Sequence, residues 1–143
     1  MKIIRSLCIL TFLSLVVVCG SQPAYGKVVY VSLNATGDGS GSSWENACRS
    51  IFAGLGASVI GDEIWVKSGR YMEAIRMKAN VALYGGFAGT EQTREERDWV
   101  ANETIIDATE LRYVPEYVTA VVGADCAILD GFTVTGGSRS GVY

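Results

Sequence analysis

The chain repeats one pattern, a short run of apolar residues that closes on glycine or aspartate. Apolar and polar side chains alternate over residues 27–33, which predicts a first strand. Similar runs follow at residues 61–66, 81–87, 104–107 and 127–137, with no long helical pattern between them. Short strands separated by turns predict an all-β chain built from repeating units.

One segment near the start has a helical pattern instead. Ser42 and Glu45 have the spacing of a capping box, in which a hydroxyl and a carboxylate satisfy backbone donors at a helix start. Apolar residues recur every four positions at Ala47, Ile51 and Leu55. This spacing predicts a helix over residues 43–57 with one buried stripe. Two glycines weaken its second half, so we expect the helix to end by Ala57 or Ser58.

The later runs also suggest a repeat length. Three aliphatic residues are evenly spaced at Leu83, Ile106 and Leu129. In one interpretation each interval is one turn of a stacked repeat, which places Asp107 and Asp130 in the same register on one face. In the other, the polar residues 88–103 form a lateral insertion, and strand 104–107 lies on another face of the same turn. The sequence leaves both interpretations open.

Within the insertion, Thr93 and Glu96 have capping-box spacing, which predicts a single helical turn. Residues 94–98 form a dense run of mixed charge. Such a run serves either as a binding loop or as a solvated turn with local ion pairs. The second interpretation is the more common one and is our expectation.

The N-terminus has the pattern of a secretory signal peptide. Residues 1–5 carry two basic side chains, and residues 7–18 are almost wholly apolar, too short for the ~20 residues of a membrane span. Small residues at the −3 and −1 positions predict removal of residues 1–26 and a mature chain that begins at Lys27. We therefore expect a secreted or cell-surface protein. Lipidation at Cys19 and an uncleaved membrane anchor are the alternatives.

The amino-acid composition excludes several classes of partner and site. The 143 residues include 12 basic and 15 acidic side chains and no histidine. The absence of a basic patch argues against a nucleic-acid partner. Without histidine, His-based acid–base catalysis and His-containing metal sites are excluded. Cys48 and Cys126 remain after export, and we expect two buried free thiols rather than a disulfide.

Several motifs share the features described above. They are VYVS at 29–32, SW at 43–44, GDEIWV at 61–66, GRY at 69–71, LYGGFAGTE at 83–91, RDWVAN at 97–102 and LDGFTVTGG at 129–137. As a set they resemble the start of bacterial right-handed parallel β-helix proteins of the pectin-lyase-like superfamily. After the signal peptide at 1–26, the resemblance implies an N-terminal cap with a capping helix at 27–60 and the first turns of a three-sheet solenoid at 61–143. It also implies an incomplete C-terminal end, since members run for more turns, and therefore a truncated piece of a longer protein.

Lyases of that superfamily hold Ca²⁺ with several aspartates and use a lysine or arginine as base. The candidate Ca²⁺ ligands here are Asp38, Asp107 and Asp130. Aspartate before glycine at a strand end is more often a turn residue, so we assign no catalytic residue and expect no cofactor. The available cations, Lys67, Arg70 and Lys78, are not tied to an acid cluster.

Four aromatic residues, Trp65, Tyr84, Phe87 and Trp99, either stack on sugar rings or pack inside the solenoid. Three functions stay open. The chain is a non-catalytic surface scaffold, adhesin-like or binding a polysaccharide or cell-surface glycan. Alternatively it is the N-terminal part of a polysaccharide lyase or glycoside hydrolase, or a remnant without activity of its own.

Overall fold

The computed structural model describes residues 26–113 and 119–137, so the predicted leader and the Cys19 alternative lie outside the described part. The protein is mostly short strands in parallel sheets, with little helix. No described helix has the length and apolar character needed to cross a membrane. The helical elements are α1 Ile51–Ala57 and two 3-10 turns, Arg94–Glu96 and Thr109–Tyr113. The strands are β1 Val28–Val31, β2 Glu63–Lys67, β3 Gly69–Tyr71, β4 Ile75–Arg76, β5 Ala82–Phe87, β6 Thr104–Asp107, β7 Val121–Val122, β8 Ile128–Asp130 and β9 Thr133–Thr135.

The described strands form three parallel sheets. The first sheet has the order β1-β2-β5-β8, the second β3-β6-β9 and the third β4-β7. Every strand pair is parallel. From β2 onward the chain visits the first, second and third sheets in turn and then repeats that order. Each time the chain returns to a sheet, it therefore adds a strand next to the preceding strand of that sheet.

The strand register decides between the two interpretations of the repeat. Leu83 pairs with Leu129 in the first sheet, whereas Ile106 pairs with Tyr71 and Val134 in the second. The even spacing of the three aliphatics is therefore coincidental, and the one-interval repeat is wrong. Residues 88–103 leave the first sheet after β5, and the chain returns in the second sheet at β6.

The three sheets enclose one main apolar cluster. The predicted core residues Ile64, Val66, Leu83 and Ile106 are fully buried in it. Leu129 and Phe132, also predicted to be buried, are only partly covered and pack against the cluster from its margin. Leu129 is less covered because β8 pairs with β5 alone, so its sheet has no further described strand on the other side.

The helix begins later than the sequence predicted. Ser50 is its N-cap, with its hydroxyl accepting from the backbone N–H of Ala53 at 3.0 Å, and the helix ends at Ala57 as expected. The preceding backbone pairs with β1 instead. Cys48 donates to the carbonyl of Tyr30 at 2.9 Å, and Ser32 donates to that of Cys48 at 2.8 Å. These pairings commit the backbone at Cys48 to the sheet, so the predicted capping box at residues 42–45 starts no helix.

Both cysteines in the described part are free thiols, as predicted. Cys48 is buried, and burial raises the pKa of its thiol. The expectation that Cys126 is also buried is wrong. Cys126 lies exposed in the turn before β8, where its φ of 52° places it in the left-handed region typical of tight turns.

Candidate functional site

The loop after β5 is organised by one buried carboxylate. Glu91 is only 7% exposed, and its two carboxylate oxygens accept from the backbone N–H groups of Ala88 at 2.5 Å, Gly89 at 2.9 Å and Thr90 at 2.9 Å. Burial acts to raise the pKa of Glu91, but these N–H groups outweigh it and hold the pKa below its usual value. The Trp44 indole N–H donates to the carbonyl of Glu91 at 3.1 Å, which ties the loop to the N-terminal segment.

A second carboxylate shapes the next turn. Glu96 accepts from the backbone N–H groups of Gln92 at 2.7 Å and Thr93 at 3.2 Å. The predicted single helical turn is confirmed as the 3-10 turn Arg94–Glu96.

The charged run at residues 94–98 is fastened to the first sheet. Arg94 donates to Glu63 of β2 at 2.7 Å and to the Tyr84 hydroxyl of β5 at 3.1 Å. Arg97 ion-pairs with Asp130 of β8, and its guanidinium lies 5.0 Å from the Tyr84 ring centroid. The expected local ion pair exists between Arg94 and Glu95 at 3.6 Å, but both arginines also form ion pairs with the sheet, which the sequence did not predict. These arginines hold the insertion against three strands of the sheet.

That attachment presents Trp99 at the surface. Gly86 has φ of 94°, and a side-chain carbon there would lie 2.7 Å from the Cα of Trp99, so the insertion passes directly over β5. Asp98 then turns the chain, with its carboxylate accepting from the N–H groups of Val100 and Ala101 at 3.0 Å. Trp99 remains 56% exposed. The Arg97 guanidinium lies 5.1 Å from the Trp99 ring centroid and steadies it.

Trp99 borders a cleft of about 240 Å³ between the insertion and the turn that joins β8 to β9. The cleft is lined by Trp99, Glu103, Thr104, Asp130, Gly131, Phe132 and Thr133. Both carboxylates have partners. Asp130 pairs with Arg97, and Glu103 accepts from the Thr133 hydroxyl at 3.0 Å. The cleft therefore combines an aromatic surface with carboxyl oxygens that accept hydrogen bonds.

The other three candidate aromatics are unavailable to a ligand. Trp65, Tyr84 and Phe87 are buried, and the rings of Trp65 and Phe87 stack with their centroids 4.9 Å apart. Tyr30 and Trp44 pack against the same cluster. The structure thus separates Trp99 from the other aromatic candidates.

The structure does not bring the three candidate Ca²⁺ ligands together. Asp38 accepts from the N–H of Ser40 at 2.9 Å in an exposed turn, and this bond lowers its pKa. Asp107 lies in the second sheet and Asp130 in the first, which rules out the interpretation that places them in one register. No cluster of three or more acidic, histidine or cysteine side chains suited to a metal occurs among residues 26–113 and 119–137.

The candidate cations also have structural roles. Arg70 pairs with Asp107, whose pKa is lowered first by hydrogen bonds from Thr109 and further by Arg70. The Lys78 ammonium donates to the carbonyls of Leu55 at 3.0 Å and Ser58 at 2.5 Å, at the C-terminal end of α1. Lys67 lies along the backbone of Gly89.

Sequence reasoning missed Glu103 and Thr133. Neither residue belongs to a motif that indicates binding, and they are 30 positions apart. Only the parallel pairing of β6 with β9 brings them to one side of the cleft.

A second hollow, of about 410 Å³, lies beside α1 and is mainly apolar. Phe52, Leu55 and Met77 form part of its lining, together with two cations, Arg76 and Lys78, of which Lys78 is already bound to backbone carbonyls. It offers no carboxylate to a ligand, so the Trp99 cleft is the better candidate for recognition of a polar molecule. Comparison with known proteins adds no name to either site, because no family model, no curated protein and no solved structure matches this chain.

Proposed function

We propose that this chain is a secreted or cell-surface segment of a right-handed parallel β-helix. Support comes from the repeated order in which the chain visits three parallel sheets. The packing of α1 supports the proposed N-terminal cap, because Ile51 and Leu55 enter the main cluster beside β1 and β2. A cap of this kind covers apolar core and an unpaired strand edge that would otherwise promote aggregation.

We further propose that the segment is a non-catalytic scaffold that binds a glycan in the Trp99 cleft. The observation that carries this proposal is the exposed indole of Trp99 at the border of a polar cleft. The apolar face of a sugar ring stacks on an indole, while its hydroxyl groups donate to carboxylates such as those of Glu103 and Asp130.

The proposal is tested by calorimetric titration of residues 27–143 with soluble neutral and acidic polysaccharides. We expect binding to at least one neutral polysaccharide, and we expect Trp99→Ala to weaken it at least about tenfold, since truncation of a tryptophan that anchors a ligand costs on the order of 2 kcal/mol.

Val100→Ala is the matched control for the titration. Val100 is the adjacent residue in the same turn and is 83% exposed, but it does not line the cleft. Its replacement should leave affinity unchanged. Equal losses in the two variants, or no binding to any polysaccharide tested, would contradict the proposal.

The alternative, the N-terminal part of a carbohydrate-active enzyme, rests on a different observation. Glu103 and Asp130 line the same cleft, and paired carboxylates flank the scissile bond in most glycoside hydrolases. However, each of these carboxylates already has a partner. This arrangement favours binding over proton transfer.

A further inference from the structure

Asp62 is a buried acid whose carboxylate holds the start of the first strand. It is only 3% exposed. Its Oδ1 accepts from the backbone N–H of Lys27 at 2.9 Å, and its Oδ2 accepts from that of Val59 at 2.8 Å. Within the described ranges, no lysine or arginine side chain forms an ion pair with it. A buried carboxylate without a cationic partner is costly, so its position calls for an explanation.

The atom facing Asp62 is the one that the predicted processing would change. Removal of residues 1–26 hydrolyses the bond between Gly26 and Lys27. One water molecule supplies a hydroxyl to the Gly26 carbonyl carbon and a hydrogen to the Lys27 nitrogen. The released α-amino group takes up a further proton from solvent, because such groups ordinarily have a pKa near 8. The neutral amide then becomes an ammonium ion.

We propose that signal-peptide removal creates an ion pair between the α-ammonium group of Lys27 and the carboxylate of Asp62, which locks β1 onto β2. This inference rests on the predicted cleavage and is independent of glycan binding. The geometry for the pair already exists. The Lys27 carbonyl accepts from the N–H of Glu63 at 3.1 Å, and Val28 pairs with Glu63 in the sheet. The sheet therefore fixes the Lys27 nitrogen beside Asp62.

The position of Gly26, the residue before Lys27, also supports the proposed ion pair. A side-chain carbon at Gly26 would lie 1.7 Å from the carbonyl oxygen of Gly61, so the unprocessed chain is pressed against the backbone here. Loss of Gly26 opens that space. The two ammonium hydrogens that do not point at Asp62 can then reach solvent, which an ammonium group requires.

The test compares two proteins with defined starts, each released from a cleavable fusion. One begins at Lys27. The other begins at Ala24 and so keeps a neutral amide at Lys27. We expect the thermal midpoint of the Lys27 protein to be higher by about 3–8 °C, because a charge-assisted hydrogen bond is stronger than a neutral one.

The proteins that begin at Lys27 and at Ala24 are then both made with Asp62→Asn. This substitution should reduce the difference between their thermal midpoints to about 1 °C or less. An undiminished difference in D62N, or no difference with Asp62 present, would overturn the proposal. If D62N does not fold, the two original proteins are compared at 0.05 M and 1 M NaCl. A buried pair is weakly screened, so a difference that disappears at 1 M salt would likewise overturn it.

Processing itself is checked separately by N-terminal sequencing of the exported protein, which should begin at Lys27. A lipid-modified start at Cys19, or any other start, would overturn the role in maturation. The thermal comparison would still report whether Asp62 can hold an α-ammonium group, so the two failures are distinguishable.

Discussion

At the scale of single residues, buried carboxylates fix loop shape in this protein by accepting backbone N–H groups. Glu91 satisfies three donors in the loop after β5, and Asp62 satisfies two at the start of β2. Glu73, which is half-buried, does the same for α1, accepting from the N–H groups of Ile51 at 2.8 Å and Phe52 at 2.8 Å. These donors belong to segments where no strand or helix partner is available, so each carboxylate replaces regular secondary structure.

Replacement of Glu91 by glutamine should therefore destabilise the protein. A glutamine has one acceptor oxygen and a donor amide that opposes the backbone N–H groups, so we expect a loss of about 1–3 kcal/mol at pH 7 in chemical denaturation. The pKa of Glu91 is lowered on folding. The stability from its ionised form is present above the unfolded pKa of about 4.3 and is lost as pH falls through the folded pKa.

The difference in free energy of unfolding between the native protein and E91Q should accordingly be largest near neutral pH and smaller below about pH 4. Glu95→Gln is the control, since Glu95 is exposed and has only a 3.6 Å contact with Arg94. A difference in free energy of unfolding that does not change with pH, or an equal loss of stability in E95Q, would show that Glu91 does not act as an ionised acceptor.

At the scale of elements, α1 fits against the sheets through a glycine. A side-chain carbon at Gly54 would lie 2.6 Å from a Val31 methyl group and 3.3 Å from an Ile64 methyl group. At Gly56, on the exposed side of the same helix, nothing lies within 4 Å. The two glycines that weaken the helix by propensity therefore differ in purpose, and only Gly54 permits close packing.

Alanine substitution separates these two roles. Gly54→Ala should lower the free energy of unfolding by about 1–3 kcal/mol through overpacking. Gly56→Ala should raise it by about 0.5–1 kcal/mol, because alanine loses less backbone entropy in a helix. Chemical denaturation of both variants measures the difference, and a shift in the same direction for both would refute this account of the helix.

At the scale of the whole molecule, the described strands add successively to three parallel sheets around a core. The polar side chains that could support chemistry are used to hold this arrangement together. Arg70 pairs with Asp107, Arg97 pairs with Asp130, and Lys78 binds the end of α1. Nothing in the described ranges unites several acids with an unengaged base, which a lyase mechanism requires.

We therefore expect residues 27–143 to release no unsaturated or reducing ends from pectate, alginate or neutral glucans, with or without Ca²⁺. Colorimetric end-group assays over long incubations provide the measurement. Turnover that is lost in Asp107→Asn or Asp130→Asn, but kept in the exposed-turn control Asp38→Asn, would contradict the expectation and support the enzyme alternative.

The sequence by itself determined β1, β2, β5, β6 and the region of β8 and β9, together with the end of the helix, the turn at residues 94–96 and most of the core, but it did not predict β3, β4 or β7. These features depend on local patterns, such as the short apolar run around Ile64 and the capping residues Thr93 and Glu96. It also indicated Trp99 and the charged insertion, which contribute to the candidate site.

The tertiary structure alone decided which strands pair and which side chains meet. Evenly spaced Leu83, Ile106 and Leu129 gave a false repeat, because spacing along the chain carries no information on which sheet a strand joins. The helix begins later than predicted because the backbone of Cys48 pairs with β1. This long-range hydrogen bonding overrides the local capping signal. The Trp99 cleft likewise exists only because parallel pairing and Arg97 bring segments distant in sequence together, and no local pattern encodes those contacts.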